Sequence, residues 1–258
     1  MPTTDAQALA EQLLLGRYRV LETRGEGGFG TVYVCWDPRL MRRVAIKSIR
    51  LKPQAPQGSL VEGVPDYLSD ARRSALLRAA LDETRTASML PHPNIVQMIE
   101  FDNDDEHAYI IMEYVEGASL AELLDATEDG LLTADEAAAV VEGVCDALEF
   151  AHDNGVLHLD IKPDNIMVDM SGRVKLADFG MATLSSMTGY SGARGGTVGY
   201  MPPEQAEGGE VDVRTDVFAF AAGMYEALCG FSPFNADTLA RSRELVLAGA
   251  PDPCALSD

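Results

Sequence analysis

Two polar runs carry the groups needed to hold a polyphosphate against a hydroxyl. The second run begins thirteen positions after the first ends, and they read His158-Leu159-Asp160-Ile161-Lys162-Pro163-Asp164-Asn165 and Asp178-Phe179-Gly180. Asn165 and Asp178 offer hard oxygen ligands for Mg²⁺. Asp160 can orient an attacking alcohol and accept its proton, and Lys162 can neutralise the moving phosphoryl group. Order and spacing together therefore predict metal-dependent phosphoryl transfer.

A glycine-rich turn lies upstream of both runs. It reads Gly25-Glu26-Gly27-Gly28-Phe29-Gly30 and is followed by Thr31-Val32. Glycines let backbone N–H groups approach anionic oxygens that a Cβ would block. A dinucleotide-binding turn would be followed by a helix, whereas a β-branched strand follows here, so the pattern favours a hairpin flap over phosphates. Lys47, apolar on both sides in a third strand, is the expected ligand of the α- and β-phosphates.

These motifs, taken in order, resemble those of the eukaryotic-like serine/threonine protein kinases. The resemblance runs from about residue 18 to 235 and includes Gly196-Thr197-x-Gly-Tyr200-Met201-Pro202-Pro203-Glu204. Lys162 followed by Pro163 looks like the serine/threonine branch, and the Met-Pro-Pro-Glu-Gln run is similar to bacterial members. The Gly-Thr-x-Gly-Tyr run, which resembles a peptide-docking segment, disfavours a small-molecule kinase of related fold.

The resemblance implies an α+β, two-lobed protein-kinase-like fold. Residues 18–112 would form the N-lobe, a small antiparallel β-sheet with one main helix. Residues 113–258 would form a larger, mainly helical C-lobe, and residues 1–17 an N-terminal helical extension. Family members normally continue through two more helices, which carry an arginine that pairs with the residue matching Glu204. We therefore expect the C-lobe to be truncated.

The resemblance also implies a role for each candidate residue. The catalytic candidates are Asp160, Lys162, Asn165, Lys47 and Glu83, with Asn165 and Asp178 as metal ligands. Glu83 would pair with Lys47, and Asp82 and Glu100 are less favoured alternatives for that role. The nucleotide-binding candidates come from the glycine turn, the strands, the hinge and the metal-binding loop, and they are Gly25, Gly27, Gly28, Gly30, Val32, Ala45, Lys47, Met112, Glu113, Val115, Met167 and Asp178.

Within that set, Val32, Ala45 and Met167 would sandwich adenine. Backbone groups near Glu113 and Val115 would hydrogen-bond its edge. Met112 would guard the rear of the pocket, or belong to the core, or both. A further residue, Asp216, would either hold the backbone of the catalytic loop, as in the family, or be a first-turn helix carboxylate favoured by the helix dipole.

Periodicity and capping signals predict the secondary structure independently of the resemblance. The predicted strands are 18–21, 31–36, 43–49, 95–101 and 108–112, the first three in an antiparallel meander. The predicted helices are 69–90, one opening near Ser119, 134–152 with a Thr133–Glu136 capping box, 214–229 and 236–247. Residues 52–65 hold three prolines and two glycines and read as a surface loop. Residues 1–15 favour a short leading helix.

Leu159 is the main departure from the family pattern. It occupies the position usually held by an arginine that pairs with a phosphate on the activation loop. Such a charge-assisted contact contributes roughly 1.5–3 kcal/mol, which is enough to order a loop. We therefore expect activation to be independent of that phosphate–arginine pair. The change to Pro202 before Pro203-Glu204 is mild.

The composition of the chain limits the classes of function that it can have. The chain has 258 residues and is 47% hydrophobic, which supports a large core. Its formal net charge of −21 argues against nucleic-acid and anionic-membrane partners. The four cysteines, Cys35, Cys145, Cys229 and Cys254, lack metal-binding spacing, which predicts a reduced, cytoplasmic protein without structural zinc. Residues 1–15 are too short and polar for a signal peptide or span.

The sequence thus predicts an ATP- and Mg²⁺-dependent protein serine/threonine kinase, with Mn²⁺ as an alternative metal. Its partners would be ATP and a protein substrate, with self-association for trans-autophosphorylation. The rival is a pseudokinase that keeps the fold as a nucleotide-binding scaffold. Retention of every polar catalytic position argues for activity, while Leu159 and the missing end argue for the rival.

Overall fold

The chain forms two compact units. The structure is a computed structural model that describes residues 13–27, 30–51, 66–179 and 199–250. The first unit comprises Met1–Ser88 and Gln97–Tyr114, and the second comprises Met89–Val96 and Val115–Asp258. The observed division therefore follows Tyr114, whereas the predicted one followed residue 112. The predicted loop over residues 52–65 lies outside the described residues.

The first unit is built on a six-stranded antiparallel sheet with strand order β1-β2-β3-β4-β6-β5. Its strands are β1 (Leu13–Leu14), β2 (Tyr18–Gly27), β3 (Gly30–Asp37), β4 (Arg42–Arg50), β5 (Met98–Asn103) and β6 (His107–Glu113). This confirms the predicted meander. One helix, α1 (Asp66–Ser88), lies against β5 and β6. It begins three residues earlier and ends two residues earlier than predicted.

Alternation along the strands builds the core of the first unit. Tyr18 and Val20 on β2 face Cys35 on β3 and Val44 and Ile46 on β4, and all five are buried. Successive strand residues point to opposite faces, so β-branched and aromatic residues at every second position form one apolar layer.

The predicted leading helix is wrong for the residues that the structure describes there. Leu13 and Leu14 form β1 and pair with Arg19 and Tyr18 of β2. The turn between the two strands places Leu15 and Gly16 at positive φ, and Arg17 N–H donates to the Leu14 carbonyl oxygen. Cross-strand pairing thus outweighed the helical preference of leucine. Residues 1–12 lie outside the described part of the chain.

The second unit holds a three-stranded sheet and five helices among its described residues. The strands are β7 (Gly117–Ser119), β8 (Ile166–Asp169) and β9 (Val174–Leu176), and the helices are α2 (Leu120–Ala126), α3 (Ala134–Asp153), α4 (Pro203–Glu207), α5 (Val213–Cys229) and α6 (Leu239–Ala248). Residues 89–96 belong here because Ile95 bridges to Leu176 and Val96 N–H donates to the Leu176 carbonyl oxygen, at 2.9 Å.

Capping chemistry sets the helix starts in this unit. Thr133 and Glu136 form the predicted capping box on α3. Ser119 and Glu122 form a second one on α2, where the sequence predicted only that a helix opens near Ser119. In each, the N-cap hydroxyl accepts from the N3 backbone N–H while the glutamate accepts from the N-cap N–H. α3 ends at Asp153 with Asn154 as its C-cap, and Gly155 follows at a φ of 73°.

Two helices bury a narrower face than their apolar residues alone would indicate. Ala139 shares the helical spacing of Val140, Val144, Leu148 and Ala151 on α3, but it is exposed while those four residues are buried. α5 is rich in apolar residues on almost every side, yet its Val217 is 56% exposed. A single face of each helix therefore carries the packing, here through residues such as Phe220 and Met224 of α5.

The last described helix, α6, starts three residues later than predicted because Thr238 is its N-cap and accepts from Arg241 N–H. No helix in the described ranges is both long and apolar enough to cross a membrane.

Candidate active site

Asp216 anchors the loop that carries the predicted catalytic residues. It lies in the first turn of α5 and is completely buried. Its Oδ2 accepts from the backbone N–H of His158 and its Oδ1 accepts from that of Leu159, both at 2.8 Å. His152 Nε2 lies 2.8 Å from Oδ2. Of the two roles weighed for Asp216, the structure therefore supports the loop-holding role.

His158 links this loop to the segment that contains Asp178. Asp160 N–H donates to His158 Nδ1 at 3.2 Å, so Nε2 carries the ring proton and donates to the Ala177 carbonyl oxygen at 2.8 Å. The ring also packs against Phe179, with centroids 4.6 Å apart. A single neutral tautomer of the buried His158 ring thus hydrogen-bonds both to the catalytic loop and to the segment that contains Asp178.

Three of the predicted catalytic residues come together in the second unit. Lys162 Nζ lies 3.5 Å from Asp160 Oδ2. Asn165 Nδ2 donates to the Asp160 carbonyl oxygen at 2.8 Å and lies 3.4 Å from Asp160 Oδ2. The 3₁₀ turn Pro163–Asn165 brings Asn165 back to the loop, since proline at its first position presets φ and needs no donor.

Asn165 and Asp178, the predicted metal ligands, lie on neighbouring segments. Ala177 N–H donates to the Asn165 backbone carbonyl oxygen at 2.8 Å. The Asn165 amide nitrogen is the donor in the contacts with Asp160, so the amide oxygen is the atom suited to a hard cation. Asp178 has a φ of 63°, a region that non-glycine residues seldom occupy and that is enriched at functional sites. An amide oxygen and a carboxylate on these neighbouring segments are donors that fit a hard divalent cation.

Other metal sites find no support in the described ranges. They contain no cluster of three or more His, Cys, Asp or Glu side chains placed to hold a metal ion. Cys35, Cys145 and Cys229 are free thiols, and Cys254 lies outside the described residues.

The strand candidates lie in the first unit. Lys47 is buried on β4, in register with Val32 of β3 and Ile110 of β6. Ala45, two positions earlier on the same face of β4, is in register with Val34 and Met112. Glu83 lies within α1, but its side chain is outside the described part of the structure.

Of the alternatives to Glu83, Glu100 has other contacts. Its Oε2 accepts from Arg17 Nη1 at 3.0 Å and from the Tyr18 hydroxyl at 2.8 Å. Asp82 is exposed and its Oδ1 lies 3.6 Å from Arg85 Nη1. Glu83 therefore stays the prediction for the partner of Lys47.

The predicted glycines are placed only in part. Gly25 and Gly27 lie in β2 and Gly30 opens β3, while Gly28 lies outside the described residues. Gly30 has a φ of 123°, and a Cβ there would lie 1.7 Å from the Ser48 carbonyl oxygen. This strand contact requires glycine for a steric reason that is separate from any phosphate contact.

The hinge candidates are divided between the units. Met112, which is 8% exposed, and Glu113 end β6 in the first unit, and Val115 and Met167 belong to the second. Glu113 N–H donates to the Gln97 carbonyl oxygen at 2.9 Å, and its Oε1 accepts from Gln97 N–H at 2.8 Å. The N–H of Glu113 is thus engaged inside the sheet, and the sequence did not indicate this reciprocal pair.

Sequence reasoning missed two contacts around the loop. Gln205 Nε2 on α4 donates to the Leu159 carbonyl oxygen at 2.8 Å. The Thr215 hydroxyl donates to Glu204 Oε1 at 2.9 Å, so this glutamate has a donor within the described part of the chain. The only sequence signal for the second contact was that Thr215 is N3 of the helix that Asp212 caps.

Gln205 also lines a cleft beside the catalytic loop, together with Asp160, Tyr200 and Met201. The hydroxyl of Tyr200 donates to Glu226. Burial raises the pKa of Tyr200, and this hydrogen bond and the nearby negative charge of Asp164 raise it further. Tyr200 is therefore a neutral donor in this cleft at physiological pH.

Comparison with known proteins agrees with this geometry. The protein kinase domain family matches residues 18–249. Serine/threonine-protein kinase PrkC of Bacillus subtilis is 37% identical over 225 residues, which cover 86% of this chain and 32% of the relative. Serine/threonine-protein kinase PknB of Mycobacterium tuberculosis is 36% identical over 233 residues, covering 87% and 34% respectively. The chain thus spans about one third of the curated relatives it matches, and it belongs to the protein kinase domain family.

Proposed function

We propose that the chain transfers the γ-phosphoryl group of ATP to serine and threonine hydroxyls of proteins. Its membership of the protein kinase domain family supports ATP as phosphoryl donor and a protein as acceptor. The observation that carries the proposal is the cluster in which Lys162 Nζ and Asn165 Nδ2 lie 3.5 and 3.4 Å from Asp160 Oδ2.

Asp160 would orient the acceptor hydroxyl and take its proton. Its carboxylate is held beside Lys162, whose positive charge would stabilise the charge that develops on the transferred group. The loop needs little rearrangement for this, because Asp216 and His158 already hold its backbone. Catalysis would rest on positioning and charge neutralisation, with no covalent enzyme intermediate.

The family uses a divalent metal ion together with ATP, and we propose Mg²⁺ or Mn²⁺ here. The Asn165 amide oxygen and the Asp178 carboxylate would hold it. The positive charge of the ion would reduce the repulsion between the negatively charged phosphate oxygens and the oxygen of the incoming hydroxyl.

The nucleotide would be bound by groups assigned from the resemblance. Lys47 would contact the α- and β-phosphates and pair with Glu83. Backbone N–H groups of Gly25, Gly27, Gly28 and Gly30 would lie over the phosphates. Adenine would contact the set of apolar and hinge residues Val32, Ala45, Met112, Glu113, Val115 and Met167.

The finer proposals concern specificity and setting. The pair Lys162-Pro163 supports serine and threonine over tyrosine, and both relatives named above are serine/threonine-protein kinases. We propose cytoplasmic action, with self-association for trans-autophosphorylation. The formal charge of −21 disfavours nucleic acid as a partner.

Radiolabelled phosphate transfer tests the proposal. The wild type, Asp160→Asn and Lys47→Met would each be given labelled ATP, Mg²⁺ and a generic basic protein, and label in the protein itself would also be counted. We expect Asp160→Asn to lower kcat by about 10²–10⁴-fold, because the general base is lost. Equal, background-level label in all three proteins, with ATP still bound, would support the pseudokinase instead.

A further inference from the structure

We propose that Gln205 is a positioning residue for Asp160: it fixes the peptide group that sets the direction of the catalytic carboxylate. The inference concerns a side chain that the sequence motifs did not single out. The effect of Gln205 on catalysis rests on the proposed function, but its effect on the peptide group can be measured without any turnover.

The peptide group between Leu159 and Asp160 is held at both of its polar ends. Its oxygen, the Leu159 carbonyl, accepts from Gln205 Nε2 at 2.8 Å. Its N–H, which belongs to Asp160, donates to His158 Nδ1 at 3.2 Å. These two hydrogen bonds fix the plane of the peptide group before Asp160. The Asp160 carbonyl oxygen accepts from Asn165 Nδ2 at 2.8 Å, which restricts rotation about the N–Cα bond, so the Cα–Cβ direction of Asp160 is set as well.

The preceding peptide group is held independently. Leu159 N–H donates to Asp216 Oδ1 at 2.8 Å. Leu159 itself has a φ of 64°, which lies in the left-handed region that a leucine disfavours. Surrounding contacts must therefore maintain this conformation, and Asp216 acts on one side of Leu159 while Gln205 acts on the other.

The chemistry of the contact requires an amide. The Leu159 oxygen is an acceptor and needs a donor, which the glutamine Nε2 provides without adding charge. A glutamate of the same size would place an acceptor against that oxygen and a negative charge in the cleft that Gln205 and Asp160 both line. A methionine would keep the length and lose the donor.

Other contacts of α4 anchor the helix, so the role of Gln205 is distinct from helix anchoring. Glu204 fastens α4 to the start of α5 through the Thr215 hydroxyl, and Gly209 N–H donates to the Glu204 carbonyl oxygen at 2.8 Å. Glu207, on the same helix, is exposed and pairs with Arg243 of α6. Helix placement thus has its own contacts, and only Gln205 joins α4 to the peptide before Asp160 among the described contacts of that helix.

The test compares Gln205→Met and Gln205→Glu with the matched control Glu207→Gln. Hydrogen exchange of the segment containing residues 158–161 reports the peptide directly, and steady-state kinetics with ATP and a basic peptide report its consequence. We expect both Gln205 variants to exchange faster at the Asp160 amide and to lose about 10–100-fold in kcat, with KM for ATP within about twofold of wild type. Glu207→Gln should match wild type in both measurements.

The split between kcat and KM is the readout that a purely structural role would not produce. Misdirection of the Asp160 carboxylate should lower kcat while KM for ATP stays near the wild-type value, whereas general loosening of the fold would change both.

The outcomes separate the two claims. If wild type transfers phosphate but both Gln205 variants behave like Glu207→Gln in exchange and kcat, the role of Gln205 is disproved and the proposed function stands. If wild type transfers none, the proposed function fails, and the exchange data alone decide on Gln205. Should Gln205→Met not fold, Gln205→Glu carries the test. A lowered melting temperature with unchanged exchange and kcat would also count against the proposal.

Discussion

Asp216 is the residue on which the geometry of the catalytic loop most depends. Its buried carboxylate accepts two successive backbone N–H groups, from His158 and Leu159. Asp216→Asn keeps the shape but turns one acceptor oxygen into a donor, which then faces an N–H. We expect the free energy of unfolding to fall by about 3 kcal/mol, since a charged hydrogen bond is lost and a buried donor is left unpaired. Urea denaturation measures this.

A matched control for that change is Asp146→Asn. Asp146 lies on the exposed face of α3, so its variant should stay within about 0.5 kcal/mol of wild type. An Asp216→Asn protein as stable as this control would show that the loop is held by other contacts.

Asp37 should give the first unit a measurable dependence on acid. Burial alone would raise the pKa of Asp37, but hydrogen bonds from the Arg17 guanidinium and from the N–H groups of Arg39 and Leu40 hold it below its ordinary value. A carboxylate with a lowered folded-state pKa stabilises the fold above its unfolded pKa, near 3.9, and loses that contribution as pH falls through the lower folded value.

We therefore expect Asp37→Asn to reduce the free energy of unfolding by roughly 2 kcal/mol at pH 7, and the difference from wild type to shrink as pH falls below about 4. Denaturation from pH 7 to pH 2.5 measures it. Glu22→Gln is the control, because the exposed Glu22–Arg24 pair, at 3.7 Å, contributes little at any pH. A constant Asp37→Asn difference at every pH would contradict the linkage.

The sequence motifs predicted the type of residue needed around the catalytic loop better than they predicted which groups those residues would contact. Asp216 was singled out, and the structure decided between its two weighed roles. Gln205 was not singled out, because its partner is a backbone carbonyl 46 positions away, and any residue has a carbonyl. No motif indicated the side-chain contact between Glu204 and Thr215 either, because it depends on how α4 packs against α5. Side-chain to backbone contacts over such separations depend on how elements pack, which no local pattern contains.

At the scale of elements, two helical glycines should respond oppositely to the same substitution. A Cβ on Gly143 of α3 would lie 2.8 Å from the Val174 Cβ and 3.1 Å from Asn94 Nδ2, whereas a Cβ on Gly223 of α5 would lie 3.6 Å from the nearest Pro163 atom. Alanine gains about 1 kcal/mol of helix propensity at either site. Overpacking at Gly143 costs about 1–3 kcal/mol.

We therefore expect Gly143→Ala to destabilise the chain by up to about 2 kcal/mol and Gly223→Ala to stabilise it by about 0.5–1 kcal/mol. Thermal unfolding followed by circular dichroism measures both. Stabilisation by Gly143→Ala would mean that β9 moves away from α3 at no cost.

Element boundaries followed from the sequence where a local signal exists. The Thr133–Glu136 capping box sets the start of α3 as predicted, because both partners lie within one turn. α2 opens after Ser119, near the predicted position, and there too a capping box marks the start. Leu13–Leu14 form a strand only because β2 offers its edge. The predicted strand from Ile95 begins instead at Met98, since Ile95 and Val96 pair with Leu176. Where a partner far along the chain determines the type or the boundary of an element, the local sequence pattern did not predict it.

At the scale of the whole molecule, the net charge of −21 should make stability depend on salt. The exposed face of α3 concentrates this charge, with Glu142, Asp146 and Glu149 three or four positions apart and Asp153 in the last turn. Like charges at these spacings repel, and acidic residues near a helix C-terminus oppose its dipole.

The triple variant Glu142→Gln, Asp146→Asn, Glu149→Gln changes the net charge from −21 to −18 and should be more stable than wild type at low salt. We expect the free energy of unfolding to rise by about 0.5–1.5 kcal/mol at roughly 10 mM NaCl, where the screening length is about 30 Å and the charges repel almost fully. The gain should fall to near zero at about 1 M NaCl, where the screening length is about 3 Å. Urea denaturation at the two salt concentrations tests this, because urea adds no ions. A gain that is equal at both salt concentrations would have to come from helix propensity or packing, and the electrostatic explanation would then be wrong.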